Sequence, residues 1–250
     1  MPEPPFFTAF AASSVASSNL VTPIEKERVS RSFFLLIIPV CLTKIMKIEF
    51  DDYLKDAELH IETTGRIETF SDPHIFPYEA TSYSVLDRLV ESGFITASDC
   101  LLDYGCGKGR VPVYVSHRLG CRSVGVEYVN AFYKDALCNI TSYKKYHPGS
   151  GLQVRIEQAS ASMYDPPADV NRIFFFNPFS PEIFSAAMQH ILRSYYTAPR
   201  QILLFFYYPQ DAYVAHLSTL DAVSFYDEID CMDLFAARDD RNRILIFEIP

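Results

Sequence analysis

The sequence predicts an α/β protein with a doubly wound, mostly parallel sheet. From residue 82 onward, short apolar segments alternate with segments whose apolar residues recur at helical spacing. Most of these segments are continuously apolar, which is typical of parallel strands covered by helices on both faces, while LQVRIEQA alternates between apolar and polar residues. The last two apolar segments are joined by a polar connection that contains no helix. This ending indicates antiparallel pairing at one edge of the sheet.

Each strand segment is bounded by a predicted helix or by turn residues. The seven segments are CLLDYG, CRSVGVEYV, LQVRIEQA, RIFFFNPF, QILLFFYYP, AVSFYDEID and RILIFEI. A helix over SYSVLDRLVES precedes the first strand and ends before Gly93. Pro112 is compatible with the next helix because it falls in the first turn. Ser180 and Pro181 begin the helix that follows the fourth strand.

Composition limits the class of protein. The chain has 250 residues, of which 49% are hydrophobic, so it can bury one large core. Its net charge of −9 argues against non-specific nucleic-acid binding, which needs a basic face. None of the six cysteines forms a C-x-x-C pair, so no metal site is predicted, and reduced thiols in a cytoplasmic protein are expected.

Residues 1–45 differ from the rest in being rich in Pro, Ser and Ala. They contain one apolar run, FFLLIIPVCL, which is too short for the roughly 20 residues of a membrane-spanning helix. We interpret this segment as an upstream extension, disordered or produced by a mis-assigned start, because Met46 opens an ordinary protein beginning. A membrane-associated segment or an extra strand are the alternatives. The predicted division is extension 1–45, lid or cap 46–81, and a ligand-binding domain over 82–250.

Three glycines follow the first strand, in LLDYGCGKGR. Gly105, Gly107 and Gly109 are three of only nine glycines in the chain. Glycine allows a left-handed turn and lets a ligand lie close to the backbone. The helix that starts immediately afterwards offers unpaired N–H groups. Because ligands of doubly wound sheets bind at the carboxyl ends of the strands, this loop is predicted to hold a nucleotide-like cofactor.

Two carboxylates indicate which cofactor. Asp103 lies two residues before the first glycine, where it suits a cationic ligand group better than a pyrophosphate. Glu127 ends the second strand, where a carboxylate can accept hydrogen bonds from both ribose hydroxyls. Glu127 by itself fits NAD and S-adenosylmethionine equally. Asp103 and the D-x-G-x-G-x-G spacing, which differs from the G-x-G-x-x-G dinucleotide pattern, favour S-adenosylmethionine.

LLDYGCGKGR followed by VGVEY resembles motif I and the acidic second-strand end of class I S-adenosylmethionine-dependent methyltransferases, over about Tyr78 to Pro250. The resemblance implies a Rossmann-like, seven-stranded sheet whose last strand is antiparallel, and S-adenosyl-L-methionine as cofactor. It implies that the glycines pack under the methionine and ribose, and that Asp103 lies near the methionine amino group. The family often has an acidic residue near the adenine; here Ser160 or Ser162 is the candidate.

The stretch FFFNPFS follows the fourth strand, at the edge of the sheet where the active site is expected. Asn177, Pro178 and Phe179 resemble the N/D-P-P-F/Y motif of methyltransferases that modify planar amino groups, although only one proline is present. Such a motif would position an amino group for in-line transfer. The alternative is a turn that ends the strand, with Phe179 in the core. Tyr207 or Tyr208, near the carboxyl end of the fifth strand, is a further candidate for the substrate pocket.

The stretch before the first helix, FPYEATSYS, resembles the P-Y-x-P-T segment of some protein-lysine methyltransferases, which closes over the methionine end of the cofactor. Tyr78 and Thr81 are therefore candidate cofactor-binding residues, and Thr81 is alternatively a helix cap. Arg66, in the nearby TTGR, is either a contact for an anionic substrate or a solvated side chain.

We therefore expect a methyltransferase that acts on a small molecule, a protein side chain or a base, possessing no membrane span. The alternative is a protein that binds S-adenosylmethionine as a sensor or interaction module without transferring methyl groups. A nicotinamide oxidoreductase is a third interpretation.

Overall fold

A computed structural model describes residues 40–67 and 76–250, with side chains from residue 47 onward in the first helix. Most of the predicted extension 1–45 and part of the predicted lid lie outside these residues. The first described element is helix α1, Val40–Leu59, which runs across Met46. A two-stranded antiparallel ribbon follows, formed by β1, Arg66–Ile67, and β2, Tyr78–Glu79.

The central sheet has seven strands, as predicted. In chain order they are β3 Cys100–Tyr104, β4 Arg122–Glu127, β5 Val154–Gln158, β6 Arg172–Phe175, β7 Ile202–Tyr207, β8 Ser224–Asp230 and β9 Arg243–Ile249. Their spatial order is β5-β4-β3-β6-β7-β9-β8. Neighbouring strands from β5 to β7 are parallel. The predicted doubly wound, mostly parallel sheet is confirmed.

The antiparallel strand at the end of the chain is β9. It pairs antiparallel with β7 on one side and with β8 on the other. The outermost strand is β8, so the antiparallel strand lies one position in from the edge. The connection between β8 and β9 contains only a short turn of helix, Met232–Leu234, and such a short connection favours adjacent antiparallel pairing.

Helices cover both faces of this sheet. They are α2 Tyr83–Glu91, α3 Arg110–Leu119, α4 Asn130–Tyr146, α5 Pro181–Thr197 and α6 Asp211–Leu217. The first three pack on one face and the last two on the other. Successive strand residues therefore enter different cores: Leu101 and Phe174 face α2 to α4, whereas Leu102 and Phe175 face α5 and α6. Burial on both faces explains why the central strands β3, β6 and β7 are largely apolar. The edge strand β8 is exposed and carries three acidic residues.

Candidate functional site

The largest cluster of predicted site residues lines one cavity of about 350 Å³ at the carboxyl ends of β3, β4 and β6. Strands β3 and β6 are neighbours, and the chain moves from them toward opposite edges of the sheet. Such a switch point is where doubly wound sheets bind ligands. Ten predicted residues contribute to the wall: Tyr78, Thr81, Asp103, Gly105, Gly107, Glu127, Ser160, Asn177, Pro178 and Phe179.

The glycine loop makes room mainly for side chains of the protein itself. Gly105 and Gly107 have positive φ angles of 71° and 54°. A Cβ on Gly105 would lie 2.4 Å from Cβ of Pro178, and one on Gly107 would lie 2.3 Å from Cε2 of Tyr78. Gly109 is not part of the cavity wall: it caps α3, and a Cβ there would approach Ala136 at 3.3 Å. The glycine loop thus packs against three segments of the chain, which contribute Pro178, Tyr78 and Ala136.

Glu127 is held by the backbone on both of its oxygens. Its Oε2 accepts a hydrogen bond from the Gly107 N–H at 2.8 Å, and its Oε1 accepts one from the Val129 N–H at 2.7 Å. Burial raises the pKa of Glu127, although these two N–H groups act in the opposite direction. A carboxylate has about four acceptor positions, so each oxygen can accept one further hydrogen bond.

Asp103 lies in the same wall without such support. Its side chain is buried, and no donor to its carboxylate is found within residues 47–67 and 76–250. Burial, followed by repulsion from Glu127, raises the pKa of Asp103 well above its ordinary value. A buried carboxyl group without a partner is costly. It suits a ligand that brings a cation or an N–H donor into the cavity.

Arg110 was not predicted as a site residue, yet it lines the cavity and is only 2% exposed. Its Nη1 lies 2.7 Å from Oδ2 of Asp52 and donates to the backbone oxygen of Thr81 at 3.0 Å. One sequence signal could have identified it. A basic residue at the first position of a helix opposes the helix dipole, so it needs compensating acidic partners.

Side-chain contacts also hold the segment that precedes α2. Asp56 accepts hydrogen bonds from the backbone N–H groups of Thr63 and Thr64 at 2.6 and 2.8 Å. The same region bears on two sequence-based interpretations. Arg66 forms an ion pair with Glu79 at 3.3 Å. The cap of α2 is Ser82, whose Oγ accepts from the Ser84 N–H, and Thr81 is not the cap.

Two non-glycine residues, one after β6 and one after β7, have a left-handed backbone. Asn177 and Tyr208 have positive φ angles of 42° and 51°, which non-glycine residues seldom adopt. The Asn177 Nδ2 donates to the backbone oxygen of Tyr208 at 2.5 Å. A carbonyl oxygen only accepts, so this contact identifies the amide nitrogen and leaves Oδ1 of Asn177 as an acceptor. Neither Tyr207 nor Tyr208 contributes to the wall of the cavity.

Phe179 and Ser160 complete the predicted set. Phe179 lines the cavity, but it is 6% exposed and packs edge-on against Phe175, with ring centroids 6.4 Å apart. Phe179 therefore belongs to the hydrophobic core, as the alternative interpretation of FFFNPFS expects, and it also forms part of the cavity wall. The Oγ atoms of Ser160 and Ser162 lie 2.9 Å apart at the end of β5. The adenine contact of Ser160 stays a prediction.

Two expected absences concern only the part of the chain that the structure describes. No helix there is long and apolar enough to cross a membrane. Among the same residues, no group of three or more His, Cys, Asp or Glu side chains could hold a metal ion.

No protein-family model and no curated protein matches the chain. Solved structures do resemble it. StiE O-MT, residues 942–1257, has 12% identity and a TM-score of 0.51, covering 67% of this chain and 74% of its own. At this identity the similarity concerns the fold alone, and it agrees with the predicted Rossmann-like methyltransferase fold.

Two further similar structures are methyltransferases that contain S-adenosylhomocysteine. An RNA methyltransferase from Salinibacter ruber has 17% identity and a TM-score of 0.44, covering 69% of this chain and 94% of its own. Magnesium protoporphyrin IX methyltransferase from Synechocystis PCC 6803 has 15% identity and a TM-score of 0.47, covering 67% and 81%.

Proposed function

We propose that this protein is an S-adenosylmethionine-dependent methyltransferase. The observation that supports it best is the pair of carboxylates in one cavity. Glu127 is fixed by two backbone N–H groups, and Asp103 is buried with no donor among the residues that the structure describes. A dinucleotide would bring pyrophosphate charges toward Asp103, which is unfavourable in a buried site. A ligand with a cationic sulfonium and ammonium group brings charge of the opposite sign.

The residues present fit this cofactor. Glu127 would accept hydrogen bonds from the ribose hydroxyls, Asp103 would face the cationic methionine portion, and Ser160 would lie toward the adenine. When bound, the cofactor supplies a methyl group activated by its sulfonium. The cavity wall includes Tyr78, which packs on Gly107, and Pro178, which packs on Gly105, and this close packing supports a closely fitting site.

We favour an amino nitrogen of a small molecule, protein side chain or base as the acceptor. Asn177 supports this choice because its amide nitrogen is already engaged by Tyr208 and its Oδ1 is left to accept an N–H hydrogen. When Oδ1 accepts a hydrogen bond from a planar amino group, it favours a more nucleophilic form of the nitrogen in that group. The contribution of Asn177 is mainly to position the amino nitrogen for methyl transfer.

Calorimetric titration of the full chain with S-adenosylmethionine, S-adenosylhomocysteine and NADH tests the proposal. We expect the first two to bind with dissociation constants on the order of micromolar, and we expect the Asp103→Ala variant to lose this binding. A folded protein that binds neither, or that binds NADH instead, would contradict the proposal.

A sensor that binds the cofactor without transferring methyl groups would give the same titration. Incubation with methyl-labelled S-adenosylmethionine and separate small-molecule, protein and nucleic-acid fractions distinguishes the two. Label transferred by the wild type but not by Asn177→Gly, with equal cofactor binding in both, indicates an enzyme. Absence of transfer to all three fractions favours the sensor.

A further inference from the structure

Arg110 joins the glycine loop to the segment that precedes α2. It is the first residue of α3 and directly follows Gly109. Its Nε donates to Oγ1 of Thr63 at 2.6 Å, and its Nη2 donates to Oγ1 of Thr64 at 2.8 Å. Together with the Asp52 and Thr81 contacts, all three guanidinium nitrogens have partners.

These partners all belong to what we call the N-terminal strap, residues 52–67 and 76–81. Asp56 is also close, 3.6 Å from Nη2 of Arg110. Two buried carboxylates and one buried guanidinium thus share a site, and the ring of Tyr83 lies under the guanidinium at 4.4 Å. A planar guanidinium with five N–H donors can serve this many acceptors at once, whereas a lysine ammonium cannot.

The strap in turn brings Tyr78 onto the glycine loop. The Tyr78 hydroxyl donates to the backbone oxygen of Thr63 at 2.6 Å, and Oγ1 of the same threonine accepts from Arg110. The Tyr78 ring occupies the space where a Cβ of Gly107 would lie. A continuous path of direct contacts therefore runs from Arg110 through Thr63 to the ring of Tyr78, and from there back to the loop.

We infer that Arg110 is a positioning residue that couples the order of the N-terminal strap to ligand binding at the glycine loop. The strap forms one wall of the cavity through Tyr78 and Thr81, and Arg110 fixes that wall relative to Asp103 and Glu127. Ligand binding and docking of the strap are then parts of one equilibrium. The inference rests on the proposed function only for the choice of S-adenosylhomocysteine as probe.

Hydrogen–deuterium exchange and calorimetry on the full chain test this coupling. In Arg110→Lys, amides of residues 61–67 and 76–81 should exchange at least about tenfold faster without ligand, and the S-adenosylhomocysteine dissociation constant should rise about tenfold or more, since charge-assisted hydrogen bonds are lost. Exchange in β6 and β7 should not change. Arg118→Lys is the matched control, because Arg118 lies on the same helix and pairs with Asp87 at the surface.

Tyr78→Phe tests the same path if Arg110→Lys does not fold. It removes only the hydroxyl that contacts Thr63, so we expect faster exchange in the strap and a rise in the dissociation constant of about threefold to tenfold. Unchanged strap exchange in these variants, or faster exchange with unchanged affinity, would overturn the inference. A wild type that binds no S-adenosylhomocysteine defeats the proposed function instead. The ligand-free exchange of the variants then still decides whether Arg110 holds the strap.

Discussion

The two sides of the cavity are built differently. On the β3–β4 side, the left-handed positions are glycines, which adopt positive φ at little cost, and Glu127 is fixed by backbone N–H groups. On the β6–β7 side, the left-handed positions are Asn177, which lines the cavity, and Tyr208, which does not line it but is joined to Asn177 by a hydrogen bond between the two loops. The first side has the regular construction of a binding loop. The second retains backbone strain, which tends to persist where a site requires a defined geometry.

Replacing a glycine of the regular side should have the largest effect. Gly107→Ala would place a Cβ 2.3 Å from the Tyr78 ring at a φ of +54°. Overpacking and the left-handed backbone together should lower the free energy of unfolding by about 2–5 kcal/mol, measured by chemical denaturation. Gly149→Ala is the control, since it has φ of +83° but nothing within 4 Å, and it should lose only about 1–2 kcal/mol. Equal losses would show that the Tyr78 contact does not constrain the loop.

Glu127→Gln should weaken S-adenosylhomocysteine binding about tenfold or more. A glutamine side chain has one acceptor oxygen, so its NH₂ group would oppose the N–H of either Gly107 or Val129, which now donate to the carboxylate. Calorimetry measures the loss. Glu157→Gln serves as control because Glu157 lies on neighbouring β5 and pairs with Arg155 outside the cavity wall. If both variants bind like the wild type, Glu127 does not contact the ligand.

Asp103→Asn should have two opposite effects. Binding of S-adenosylmethionine should weaken, whereas the ligand-free protein at neutral pH should become more stable by about 1 kcal/mol, or roughly 2–4 °C in Tm. The raised pKa of Asp103 means that the folded state keeps a proton that the unfolded state has released. The free energy of unfolding therefore falls as pH rises from the ordinary aspartate value through the raised one.

Thermal unfolding across pH measures this dependence. The wild type should lose stability over that interval, and Asp103→Asn should show a shallower loss, with Glu127 accounting for part of what is left because burial also raises its pKa. A variant that is less stable than the wild type at neutral pH would mean that the Asp103 carboxylate has a stabilising partner.

The strained side allows the smallest and most specific comparison. Asn177→Gly removes the hydrogen bond to Tyr208 but keeps a residue suited to positive φ. Asn177→Ala removes the same bond and adds the left-handed cost, so it should be less stable than the glycine variant by about 1 kcal/mol. Chemical denaturation of both variants gives this difference. Equal stabilities would mean that residue 177 leaves the left-handed conformation once its hydrogen bond to Tyr208 is lost. The backbone strain would then remain at Tyr208 alone.

The sequence was a good guide wherever structure depends on neighbouring residues. Apolar runs such as RIFFF and QILLFFYY predicted the central strands, and alternation in LQVRIEQA predicted β5. Glu127, the last residue of β4, lies at the carboxyl edge as predicted. The loop D-x-G-x-G-x-G predicted a turn between β3 and α3, which is where Gly105 and Gly107 lie. These features follow from local backbone preference and from the period of the apolar residues.

The sequence was a poor guide where side chains far apart in the chain meet. Arg110 contacts residues 29 and 58 positions away, and Asn177 contacts one 31 positions away. No local pattern indicates that Tyr208 has a left-handed backbone, since tyrosine rarely does. The insertion of β9 between β7 and β8 is of the same kind, because the order in which strands pair depends on how the sheet is assembled.

By itself, therefore, the sequence determined the class of fold and the location of the cavity, because hydrophobic period, glycine conformation and strand ends are properties of short segments. Only the tertiary structure decided what surrounds that cavity. It brought the strap onto the glycine loop through Arg110, left Asp103 without a donor in the described part of the chain, and engaged the amide of Asn177 with Tyr208. The physical reason is that the partners of buried charged and amide groups are chosen by three-dimensional packing, which must satisfy them at any separation along the chain.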